Sequence, residues 1–245
     1  MEGIKDFPID HWIRQYAPIC NVQLHGSSAP IVSINELKKF HANTSAMIMD
    51  FDLTLDYGPF EGSAELRERV AALHSTPEYR LDAENVIITP GSILANFLIL
   101  DAICQPGDHI ICQYPVFSQL HLLPQHRGVE VTSWQLMNDD TQDSMSALRV
   151  LIQSNTKAII LKYKNNPNNP TGAVITREML VQIIDMAREV NATVFSDEVF
   201  QPLVHNPEVK ACPLVSLGYE RSISSGSLSK VYGLPGITPR RLCPG

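Results

Sequence analysis

Charge is scarce in this sequence. Charged residues make up 18% of the 245 positions against 44% hydrophobic ones, and no block of like charge stands out. The net charge is −7, with no basic face to attract a phosphate backbone or an anionic lipid. Nucleic acid and membrane surfaces are therefore excluded as expected partners. Cysteine is sparse too. Cys20, Cys104, Cys112, Cys212 and Cys243 are odd in number, widely spaced and lack a Cys-x-x-Cys pair. That argues for a reduced compartment and against a zinc site, so no metal is expected. An apolar leader is also missing: Glu2, Lys5, Asp6 and Asp10 interrupt the first 18 residues, unlike a secretory signal. The most apolar stretch, residues 93–104, is shorter than a membrane span and carries Asn96 and Asp101. A cytoplasmic protein is expected.

What is present is an alternation of short β-rich runs with amphipathic segments. Strands are predicted at 86–89, 109–112, 129–134, 157–162, 192–196 and 221–225. Helices are predicted at 34–41, 64–74, 93–104, 145–153 and 177–190. Ser33 and Glu36 have capping-box spacing, and Ser63 can cap the second helix. Gln105-Pro106-Gly107-Asp108 ends the apolar third helix. The expected fold class is α/β, a mostly parallel sheet with helices on both faces and right-handed crossovers. Ligands in such sheets sit beyond the carboxyl ends of the strands, and the polar motifs fall there.

Five motifs and one further aromatic residue carry chemistry. Lys230 stands in Ser227-Leu228-Ser229-Lys230-Val231-Tyr232-Gly233-Leu234-Pro235-Gly236, between a predicted strand and a glycine-rich turn. A partly desolvated lysine can lose its proton and attack an aldehyde to form a Schiff base, whereas an isolated loop lysine is ordinarily just solvated. Asn166-Pro167-Asn168-Asn169-Pro170-Thr171-Gly172 follows the 157–162 strand. Its prolines fix turns that hold Asn169, whose amide can donate to a phenolate oxygen. Asp197, in Asp197-Glu198-Val199-Phe200, ends a strand where a carboxylate can pair with a protonated pyridine nitrogen. Gly91-Ser92-Ile93 opens the apolar helix, and helix N-terminal amides bind phosphate, although many such sites are plain caps. Tyr57, in Tyr57-Gly58-Pro59-Phe60-Glu61-Gly62, fits a turn before a helix equally well. Tyr114, before Pro115, can stack on a ring or pack in the core.

Together these strings resemble the class I/II aminotransferase family of fold type I pyridoxal-phosphate enzymes, over roughly residues 50–236, and His25-Gly26-Ser27-Ser28 with the arm residues after it is similar to capreomycidine synthase-like and fungal carbon–sulfur lyase members. The resemblance implies pyridoxal 5'-phosphate as cofactor, Lys230 as its Schiff-base lysine and catalytic residue, and Asp197 at the pyridine nitrogen. It implies Asn169 at the ring oxygen and Tyr114 stacked on the ring. Gly91, Ser92, Ile93 and the Ser227 hydroxyl would hold the phosphate. Tyr57 would reach the phosphate of a neighbouring subunit, which implies a homodimer. The implied activity is amino-acid transamination, or alternatively β-elimination on the same fold.

The pattern also breaks. The family has Tyr where Phe200 stands, and an arginine where Thr238 stands, with Arg240 and Arg241 out of register. Lys162-Tyr163-Lys164 lengthens the approach to Asn166 and could displace Asn169. The expected organisation is an arm with part of a small domain at 1–45, a large cofactor domain at 46–236 and a divergent tail at 237–245, the C-terminal small domain being absent. A catalytically impaired fragment is the competing expectation.

Overall fold

The computed structural model describes residues 7–22, 26–27, 30, 32–40, 50, 52–54, 56–135, 141–162, 168–169, 171, 175–201, 203 and 212–236. In chain order the helices are α1 (Pro8–Tyr16), α2 (Ile34–Leu37), α3 (Ala64–His74), α4 (Ser92–Ile103), α5 (Ser118–His126), α6 (Thr141–Leu151), α7 (Arg177–Glu189) and α8 (Leu228–Val231). The strands are β1 (His109–Tyr114), β2 (Glu130–Gln135), β3 (Thr156–Leu161), β4 (Thr193–Asp197) and β5 (Ser222–Ser225). Every pairing among them is parallel, in the order β2-β1-β3-β4-β5. The chain steps from β1 outward to β2, then returns past β1 to β3. The order therefore reverses between β1 and β3, and that is where a crevice opens at the carboxyl end of such a sheet.

Side chains alternate across the sheet with a period of two. Ile110, Cys112, Ala158, Ile160 and Phe195 face one way and pack with Leu100 of α4 and Leu120 of α5. Ile111, Ile159, Leu161 and Val194 face the other way and pack with Met145 and Leu148 of α6 and with Met179, Leu180, Ile183 and Ile184 of α7. Covering on both faces explains why the central strands read as unbroken apolar runs. Trp134 is fully buried in the second cluster, and its indole N–H donates to the Ser144 carbonyl at 3.0 Å. Trp134→Ala should lower unfolding stability by ~3–5 kcal/mol, from lost burial and the cavity left behind, as a shift in the urea midpoint will report.

The local signals hold at several termini. Ser33 and Glu36 form the reciprocal capping box of α2. Ser63 accepts from the Leu66 N–H at the start of α3, and Thr176 caps α7 through the Met179 N–H. The expected strand at 86–89 is not formed. Val86 is extended, but the run has no neighbouring strand among the described residues, and Ile88 is tied down by one bond to the Glu61 carbonyl. Propensity supplies the extended conformation; a strand also needs a partner. The helix expected at 34–41 ends its α turn at Leu37 and tightens into a 3-10 turn at Lys38–Phe40. Three helices went unanticipated: α1, the single turn α8, and α5, whose interior Pro124 disguises it. The domain limits drawn at 45 and 237 fall outside the described residues. No helix among the described residues is long and apolar enough to cross a membrane.

Candidate active site

The polar side chains converge at the carboxyl ends of β1, β3, β4 and β5. Asp197 is the last residue of β4 and is buried. Its Oδ2 accepts two donors, the Lys162 Nζ at 2.7 Å and the Asn96 Nδ2 at 3.2 Å. Its Oδ1 is buried and has no hydrogen-bond partner among the described residues. An unpaired buried carboxylate oxygen is costly, so it marks a place for a donor from outside the chain.

Asn96 links this carboxylate to two other elements. It projects from α4, and its Oδ1 accepts from the Ser225 hydroxyl at the end of β5, at 2.8 Å. Its amide also points toward Gln119 Oε1 at 3.5 Å, and Gln119 in turn donates to the Ile93 carbonyl at 2.7 Å. The network thereby fixes the first turn of α4 over the strand ends. Gly91 enters that turn with φ +85°, a conformation that favours glycine. No side chain caps the helix, so the first amides of α4, including those of Ser92 and Ile93, are presented to an anion. Ile93 itself is 63% exposed.

Lys230 lies in α8, one turn beyond β5. The Ser227 hydroxyl caps this turn by accepting from the Ser229 N–H at 3.1 Å. Burial holds the Lys230 amine below its ordinary pKa of 10.5, and the neighbouring Lys162 charge pushes the same way. Both causes favour the neutral, nucleophilic amine. Tyr114 ends β1 half-exposed, just before a cis peptide bond to Pro115.

The two neighbouring asparagines of the turn are placed differently from each other. Asn168 is the buried member, donating to the Lys162 carbonyl at 3.0 Å and accepting from the Thr171 N–H at 3.1 Å. Asn169 is exposed. Asn166, Pro167, Pro170 and Gly172 lie outside the described residues, as do Tyr163, Lys164, Thr238, Arg240 and Arg241. Phe200 is buried, with its ring centroid 5.8 Å from Lys162 Nζ. Tyr57 is 97% exposed and is not drawn into the cluster. The sequence reading missed Asn96 and Gln119, and treated Lys162 only as part of an unusual connection. Their signal was a polar residue in an otherwise apolar setting: an amide inside the most apolar helix and a lysine closing a buried strand.

Next to Asp197, Glu198 is buried with its Oε1 accepting from the Leu214 N–H at 3.1 Å. Burial pushes its carboxyl above the usual carboxylate range, against the opposing pull of the Leu214 N–H and His74. A raised folded pKa contributes stability that is complete below the unfolded value near 4.5 and is lost as pH rises through the folded value. Glu198→Gln should therefore flatten the fall in stability above pH 4.5. The difference in slope approaches ~1.4 kcal/mol per pH unit, measurable by urea unfolding at a series of pH values.

Comparison with known proteins agrees with this geometry. The family described as Aminotransferase class I and II matches residues 25–238. Human tyrosine aminotransferase is 31% identical over 182 residues, covering 74% of this chain and 39% of that protein. Capreomycidine synthase of Streptomyces vinaceus is 26% identical over 96% of this chain and 59% of that protein. The crystal structure of a PLP-dependent aminotransferase from Streptococcus suis superposes with a TM-score of 0.80 at 30% identity, covering 97% of this chain and 61% of that one. This chain thus spans about two-fifths to three-fifths of the length of these relatives. A match running through α4, β4 and the Lys230 turn alike, on a sheet of the same architecture, leaves one assignment: the chain belongs to the aminotransferase class I and II family.

Proposed function

We propose that this chain is the cofactor-binding part of a pyridoxal-phosphate-dependent aminotransferase that acts on an amino acid. The observation that carries the reading is Asp197 Oδ1, a buried carboxylate oxygen at the end of β4 that lacks a partner among the described residues. A protonated pyridine nitrogen is a donor of the right kind and charge for it. The other groups are consistent with the same cofactor: an uncapped helix N-terminus suited to phosphate and a lysine whose amine is held below its usual pKa.

When bound, the cofactor supplies a cationic ring that takes up electron density from the substrate α-carbon. This chain's residues hold it and handle the proton. The amides of Ser92 and Ile93, with Gly91 and the Ser227 hydroxyl, would hold the phosphate. Tyr114 would lie beside the ring, and Asn169 would donate to its oxygen. Phe200 offers no hydroxyl there. Asp197 would orient the ring nitrogen and favour its protonated form. The Lys230 amine would provide the point of covalent attachment and the proton-carrying group at the α-carbon, which its lowered pKa suits.

A second copy of the chain is part of the reading. Tyr57 stands free at the surface, and α4 exposes Ile93, Leu94, Phe97 and Leu98. An apolar strip of this kind suits an interface within a homodimer in which Tyr57 reaches the neighbouring phosphate site. Residues 46–236 would then form the large domain and 1–45 its arm.

The test is ketoacid formation by the purified chain with cofactor and single amino acids, tyrosine and aspartate first, with and without an acceptor 2-oxoacid. Ketoacid that appears only with the acceptor supports transamination. Ketoacid and ammonia without acceptor indicate β-elimination. Neither product, from a folded and cofactor-loaded chain, would make it a fragment without turnover.

A further inference from the structure

Lys162 is the buried charge that the reading above leaves without a task. It follows β3 directly, its side chain is 6% exposed, and its Nζ lies 2.7 Å from Asp197 Oδ2. The same nitrogen lies 5.6 Å from the Phe117 ring centroid and 5.8 Å from that of Phe200, within cation–π range of both. A lysine this deep is retained only where a counter-ion and aromatic faces replace its water.

We propose that Lys162 is a positioning residue that fixes the Asp197 carboxylate and competes with the cofactor's ring nitrogen for its charge, so that this chain holds the ring less fully protonated than an unshared aspartate would. The inference rests on the pyridoxal-phosphate reading of the site.

Its physical basis is the division of one carboxylate between two cations. Oδ2 is taken by Lys162 and Asn96, which leaves Oδ1 as the single oxygen open to the ring. Fixed from one side, the carboxylate cannot turn both oxygens toward the cofactor. A protonated ring nitrogen on Oδ1 then stands one carboxylate away from the Lys162 ammonium. Like charges that share a counter-ion at low dielectric each disfavour the other's charged form. The Lys162 charge also acts on Lys230, where it favours the free amine. One side chain thus eases attachment through Lys230 and weakens the ring as an electron acceptor.

A lysine that merely ties β3 to β4 would alter stability and leave the ring alone. The two roles separate in the nitrogen-15 NMR signal of ring-labelled pyridoxal phosphate bound to the chain at neutral pH. In the wild type the signal should fall short of the fully protonated value. In Lys162→Met, and in Lys162→Gln, which keeps a hydrogen-bond donor without charge, it should move to the protonated value. The cofactor dissociation constant should tighten about tenfold, as one unit of ring pKa implies. Lys162→Arg should stay with the wild type. Circular dichroism reports folding, and the wild-type signal decides alone if the neutral variants do not fold. A fully protonated ring in the wild type, or a signal unmoved in folded Met and Gln variants, overturns the proposal while the cofactor reading stands. No cofactor binding by folded wild type overturns both.

Discussion

Lys230→Ala will bind no cofactor covalently and will lose ~1,000-fold or more in turnover, the scale expected when a positioned nucleophile and proton carrier is removed. The local structure makes this the sharpest expectation. α8 presents Lys230 from a capped turn directly after β5, and burial together with the Lys162 charge keeps its amine below 10.5. The amine that could replace it is the one on Lys162, and that nitrogen is held against Asp197 at 2.7 Å in a buried ion pair. The depressed pKa also fixes a sign. Folding asks Lys230 to give up solvation of its charged form, a cost present below the folded pKa and relieved as pH rises toward 10.5. Lys230→Ala should remove that cost, so the variant should be no less stable than the wild type at neutral pH. Spectroscopic titration with pyridoxal phosphate and a thermal melt, on the same samples, will separate loss of chemistry from loss of fold.

Asp197→Ala carries the second large effect, and it acts on stability and cofactor binding together. The substitution strips Lys162 of its counter-ion while both positions remain buried. Breaking a buried pair from one side costs ~3–5 kcal/mol, because the remaining charge has no water to return to. Asn96 loses an acceptor at the same time, and with it one of the bonds that hold α4 over the strand ends. Domain stability is ordinarily only ~5–15 kcal/mol, so the variant should sit near its unfolding transition. The double variant Asp197→Ala with Lys162→Met should recover much of that loss, since neither charge is then left alone, while cofactor affinity stays low because Oδ1 is gone. Urea midpoints for the single and double variants give the coupling directly.

How far the sequence led depended on whether a signal was local. The caps at Ser33 and Ser63 act on neighbours three residues away, and the structure forms both. The nearly unbroken apolar runs of β3 and β4 reflect a sheet covered on both faces, so their strands were legible to within a residue or two. The 86–89 run was not, because whether an extended segment becomes a strand is decided by a neighbour elsewhere in the chain. α5 was hidden by Pro124, a residue that reads as a breaker but is accommodated late in a nine-residue helix. In the site, Asp197 and Lys230 were visible as motif members. The link that Asn96 makes between Asp197 and Ser225 spans 101 residues to the first and 129 to the second, a distance at which one sequence carries no pairwise information. The asparagine turn shows the same limit at short range: neighbouring asparagines look equivalent in sequence, and packing buries Asn168 while Asn169 remains exposed.

The proposed chemistry rests on one amine out of all those in the chain being the point of cofactor attachment. Borohydride reduction of the protein after incubation with pyridoxal phosphate, followed by peptide mass mapping, tests this most directly. A single pyridoxyl label on Lys230, unaffected by excess free lysine during labelling, is the expected result. A label on Lys162, or one scattered over surface lysines with Lys230 unmodified, would contradict the assignment of Lys230 and with it the proposed mechanism.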